Sequence, residues 1–115
     1  MLKEAMLAMR VRDMDYAPDI CRLLKSAETD LKIAGVTSEG ECSFTITEDA
    51  ITGKVSVTDN STITDENVQT AMITYCRKNF GSPPDFDKLA ASYDLQRRQL
   101  ANATGYTDFG EDDGE

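Results

Sequence analysis

The sequence predicts a mainly α fold: a small bundle of about four helices with a β-hairpin insert between the second and third helices. Three observations predict it. Apolar residues recur at helical spacing in four separate stretches. One stretch, "SFTITEDAITGKVSVTD", alternates with period two instead. Glycines, prolines and capping acids punctuate the chain between them. At 115 residues and 40% hydrophobic content, the chain suits one helical domain over residues 1–107 that buries a modest core unaided. The hairpin insert is expected at about 42–60, and residues 108–115 read as an acidic, flexible tail.

Leu2, Ala5, Met6 and Met9 predict a first helix over residues 2–10. Alone it would be too short to persist in water, so it must lean on the rest of the chain. Asp13 or Asp15 is the expected cap of the second helix, with Pro18 tolerated in its first turn. Tyr16, Ile20, Leu23, Leu24, Ala27 and Leu31 form its apolar face, and Gly35 is its natural stop. Glu28 and Lys32 are spaced as an ion pair on its outer face.

Residues 43–48 and 53–58 alternate, with Phe44, Ile46, Val55 and Val57 on one side and Thr and Ser between. They read as two strands turned at Glu48-Asp49 or Thr52-Gly53. A lone hairpin is marginal in water, so it should pack on the helices or on another subunit. Thr64 or Asp65 caps the third helix, whose buried face is Val68, Ala71, Met72, Tyr75, Cys76 and Phe80, ending at Gly81. Ser82 with Asp85 resembles a capping box for the fourth helix, and Pro83 suits its first position. Phe86, Leu89, Ala90, Tyr93 and Leu100 line one side of a rod of roughly 30 Å.

Composition excludes several chemistries. There is no histidine, which removes the commonest general base and zinc ligand. Cys21, Cys42 and Cys76 lack ligand spacing. Cys21 and Cys76 fall on apolar faces and read as packed thiols, whereas Cys42 falls in a loop where exposure is expected. No apolar leader and no membrane-length apolar run is present, so free thiols in a reducing cytosol are expected. Thr52-Gly53-Lys54 lacks the flanking residues of a phosphate loop, and "DNSTITDEN" lacks those of a calcium loop. No enzyme, cofactor or metal is expected.

The informative features are surfaces. The net charge is −9, and residues 108–115 hold five acids and no base, leaving about −4 on the body. Such a balance gives no grip on nucleic acid through counterion release, yet lets DNA pass without sticking. Arg97 and Arg98 read either as a face paired within the chain or as a basic patch meeting acids on a neighbouring copy, head to tail. Ile73 lies off the buried face of its helix and suggests a second apolar contact. Met1, Met6, Met9 and Met14 read as core filling, with an adaptable contact surface as the alternative. Tyr106 and Phe109, stranded between Gly105 and the terminal acids, read as an arm that docks on a partner.

The segment "ITYCRKNFGSPPDFDKLAASYDLQRRQLANATGYTDFG", residues 73–110, resembles the head–tail connector family of long-tailed double-stranded DNA bacteriophages. Members of that head-completion or adaptor family are often described as DNA-packaging proteins. The likeness lies in ITYC-x-x-NFG, an acid–aromatic–acid–basic–Leu helix start, SYD-x-Q-x-x-QL and ATGYTD. A second helix ending in "DLKIAGV" and a variable insert are similar in kind. The resemblance implies a mostly helical, non-catalytic virion protein that assembles as a homo-oligomeric ring of about twelve copies. The ring would sit beneath the portal protein, join the head to the stopper or tail-completion protein, and pass DNA through its channel. The expected location is the head–tail interface of the virion, with the host cytoplasm during assembly. The resemblance assigns no individual contact residue to the portal or the stopper. The alternative is a small DNA-packaging module associated with the terminase, with Arg77, Lys78, Arg97 and Arg98 as phosphate contacts.

Overall fold

The computed structural model describes residues 1–36, 39–81 and 83–102. Helix α1 runs Leu2–Ala8, and a single 3₁₀ turn at Met14–Tyr16 leads into α2, Ala17–Ile33. Strands β1, Phe44–Glu48, and β2, Val55–Asp59, form an antiparallel hairpin. Helices α3, Glu66–Asn79, and α4, Phe86–Asn102, complete the chain. The mainly helical fold with a hairpin between the second and third helices is therefore present.

Local chemistry sets most of the boundaries. Asp13 accepts the Asp15 N–H and closes the 3₁₀ turn, so α2 begins at Ala17, with Pro18 harmless in its first turn. Asp65 caps α3 by accepting the N–H groups of Asn67 and Val68. Gly81, at φ +67°, turns the chain out of α3. Helix α1 stops two residues earlier than its apolar spacing predicts, because Arg10 adopts a left-handed backbone at φ +58°. Helix α4 starts at Phe86, not at Pro83: Phe86 N–H bonds to Pro83 O at 3.3 Å, so residues 83–86 form a separate turn. The predicted Ser82 cap lies outside the described residues.

The core is built by α2, α3 and α4, with α1 laid across α2 and α3. Ile20, Leu24, Leu31, Met72, Cys76 and Tyr93 are fully buried. Each large aliphatic side chain so buried stabilises the fold by about 2 kcal/mol through its apolar area. Met6 is buried and Met1 and Met9 pack partly against the core, while Met14 is exposed. Tyr16 also departs from its predicted burial: it is half-exposed, with its ring edge-on to Phe80 at 5.8 Å.

Glu28 corrects a second expectation. Its carboxylate is not on the outer face with Lys32 but is buried, accepting the Cys42 N–H at 2.7 Å. Lys25 Nζ reaches the same loop, donating to Cys42 O at 2.7 Å and lying 3.7 Å from Glu28. The loop before β1 thus has its backbone groups satisfied by α2 side chains, as burial demands. Cys42, expected to be exposed, is consequently sealed in the core. Gly40 permits the approach: a Cβ there would sit 2.4 Å from Thr62 O, and its φ is +87°.

Candidate functional site

The hairpin is the least enclosed part of the chain. Its register pairs Phe44 with Asp59, Ile46 with Val57 and Glu48 with Val55, two residues beyond the pairing of 43–48 with 53–58 that the alternation predicts. Directly opposite side chains share a face. Phe44, Ile46, Val55 and Val57 therefore share one face, with the carboxylates of Glu48 and Asp59 at its two ends, and Thr45, Thr47, Ser56 and Thr58 form the other. The turn is closed by Asp49, which accepts the N–H groups of Ile51 and Thr52, and by Gly53 at φ +72°. Ile46 remains 46% exposed and Ile51, at the tip, 95% exposed. An open groove of about 300 Å³ separates Phe44 and Ile46 from Pro18 and Cys21 of α2.

Polar stitching anchors the hairpin base. Ser43 N–H donates to Ser61 Oγ at 3.1 Å, and Thr62 N–H donates to Glu41 O at 2.8 Å. Asp59 Oδ2 accepts the Leu2 N–H at 2.9 Å and lies 3.0 Å from the Met1 ammonium, acting as a distant cap for α1. Partial burial of this carboxyl opposes ionisation. The hydrogen bonds from Leu2 and Ser61 and the Met1 ammonium outweigh it and hold the pKa down at about 2.

A second polar cluster joins three helices. Tyr93 of α4 donates its hydroxyl to Asp30 of α2. Arg97, one turn on, donates to the same Asp30 oxygen at 3.3 Å and pairs with Asp94 at 3.7 Å. Tyr75 of α3 meets Tyr93 edge-on at 5.3 Å, and the Lys78 ammonium lies 5.3 and 5.2 Å from the two ring centres. Burial first, and then the bond to the Asp30 carboxylate, pushes the Tyr93 phenol well above its usual pKa. It serves as a fixed donor, not an acid. Sequence reasoning missed Asp30. The available signal was an acid in the last turn of α2, where the helix dipole disfavours it unless a cation or donor answers.

The predicted contact residues are separated by this geometry. Arg97 is committed within the chain, whereas Arg98 is exposed and bonds only to the Asp94 carbonyl, at 3.4 Å. Ile73 is half-buried and packed against the core. Tyr106 and Phe109 lie outside the described residues. Of the four cations a DNA-contact reading names, Lys78 sits over two rings and Arg97 is ion-paired, and Arg77 and Arg98 have no ion pair among the described residues.

Cys21, Cys42 and Cys76 are free and buried, and burial raises their thiols to about 12, 11 and 12. They are unreactive as nucleophiles at neutral pH. Among the described residues there is no group of three or more His, Cys, Asp or Glu placed to hold a metal ion. No described helix is long and apolar enough to cross a membrane. No family model, curated protein or solved structure matches the chain.

Proposed function

We propose that this protein is a structural adaptor of a tailed bacteriophage. Copies form a ring of about twelve between the portal and the stopper or tail-completion protein, and DNA passes through the channel without sequence-specific contact. The phage assignment is carried by one observation, the pattern over residues 73–110 and its likeness to the connector family. That segment supplies the second half of α3, from Ile73, and the whole of α4. Two further features support assembly with other chains. The hairpin offers an apolar face that its own helices leave half-covered. The acidic balance repels phosphate, which suits a channel through which DNA must slide.

The test is assembly of virus particles without this protein. Filled heads that leak DNA and carry no tails are expected in electron micrographs. Particles that mature normally would sink the reading. A second arm mixes the purified chain with portal protein and weighs the product by native mass spectrometry, with a ring-sized complex expected. A chain that stays free of portal at high concentration speaks against it.

A further inference from the structure

A pocket of about 380 Å³ opens at the end of the bundle remote from the α4 C-terminus. Its apolar lining comes from Met9, Phe80, Pro83 and Leu89, and its polar lining from Arg10, Arg77 and Asp85. Two arginines stand at its mouth, Arg10 from the end of α1 and Arg77 from the last turn of α3. Both are exposed, and among the described residues neither has an ion-pair partner. Asp85 also lines the pocket and forms no ion pair among the described residues. In a chain of net charge −9, two guanidinium groups beside an apolar lining form a distinctive surface. The volume lies at the small end of ligand pockets and suits one or two aromatic side chains. The chemistry selects a short peptide in which aromatic residues are followed by acids.

This chain contains such a peptide. Beyond α4 come Tyr106, Asp108 and Phe109, and then Glu111, Asp112 and Asp113. We propose that the pocket receives this segment from a second copy, with Tyr106 or Phe109 on the apolar lining and the acids on Arg10 and Arg77. Docking within one chain is out of reach for Tyr106 and strained for Phe109. From Leu89 at the pocket to Asn102, α4 rises about 20 Å. Tyr106 stands four residues past Asn102 and reaches back at most about 14 Å. Phe109, seven residues past Asn102, reaches at most about 25 Å, which leaves only about 5 Å in which to reverse direction. A second copy meets no such limit: the far end of one α4 is presented to the near end of the next. The contact is head to tail, the kind that closes rings. Docking rests on the ring reading for the premise that copies meet, and on the pocket for the residues.

Full-length chain with the photo-cross-linker benzoylphenylalanine at position 109 tests this. Irradiation should join two chains, with attachment at Met9, Phe80 or Leu89 of the partner copy. Mixed heavy- and light-isotope protein distinguishes this from attachment within one chain. Attachment within one chain, elsewhere on the partner, or only to added portal protein would overturn the assignment. Sedimentation velocity supplies an independent reading. Arg10→Asn with Arg77→Glu, and separately Tyr106→Ala with Phe109→Ala, should each weaken self-association at least about tenfold, while circular dichroism stays that of the parent. Arg10 and Arg77 are both exposed. Mixing the two double variants should restore a single 1:1 dimer, because one intact pocket and one intact tail remain. A parent chain monomeric at about 1 mM, or variants that associate as the parent does, sinks the docking. The second of these outcomes leaves the ring reading standing. Docking without portal binding or a tail-assembly defect would sink the adaptor reading and leave the pocket assignment intact.

Discussion

The helical body and the hairpin are stabilised in opposite ways. In the body, Ile20, Leu24 and Leu31 of α2 meet Met72 and Cys76 of α3 and Tyr93 of α4, all fully buried. Even the polar group of Tyr93 is answered internally, by Asp30. In the hairpin no strand residue is fully buried, and only Phe44, Val55 and Val57 are partly covered. Its attachment is made of backbone and carboxylate hydrogen bonds at the base. A region held by apolar area is indifferent to what surrounds it. A region held by a polar hinge, with only Phe44 and Val57 of its apolar face packed on the core, keeps its shape and stays incomplete until something covers the rest.

This contrast gives three expectations of decreasing size. Truncating Leu24 to Ala removes buried volume from the body and should cost about 3 kcal/mol, read as a lower urea midpoint. A cost below about 1 kcal/mol would mean the body is looser than its burial implies. Acid should act on the hinge. The Asp59 pKa is depressed to about 2 in the fold, against an unfolded value of about 4. The unfolded chain therefore binds more protons in that window, so the Asp59 contribution is complete above about pH 4 and is lost as pH falls towards 2. After screening by solvent it amounts to about 1 kcal/mol. Asp59→Asn should remove that part of the pH dependence in urea titrations, and an unchanged acid limb would show that the hinge carries no stability. The smallest effect belongs to the tip. Ile51→Ser should change the stability of the isolated chain by less than about 0.5 kcal/mol, and under the proposed adaptor role it should weaken any assembly made through the tip. A large loss of monomer stability there would erase the distinction between the two regions.

The sequence predictions succeeded where the signal is local. Helical spacing located α2, α3 and α4, alternation located the two strands, and Asp65 and Gly81 marked helix ends through groups a few residues away. They failed where the partner is distant. Glu28 was expected on a solvated face because Lys32 is one turn away, yet it is buried against Cys42, fourteen residues along. Asp59 looked like one more acid in a polar loop, although it caps a helix that begins fifty-seven residues earlier. Arg97 offered two readings, and only the approach of Asp30 from α2 shows the chosen partner.

The order and kind of the elements, the two-faced ribbon, the absence of histidine and the surplus of negative charge are all written in the chain, because each depends on residue type and on spacing within a turn or a pleat. Which carboxylate is buried, which cation is committed and which two arginines line one pocket depend on how the elements pack. Side chains tens of residues apart acquire their partners only when the helices meet, and no local periodicity encodes that meeting.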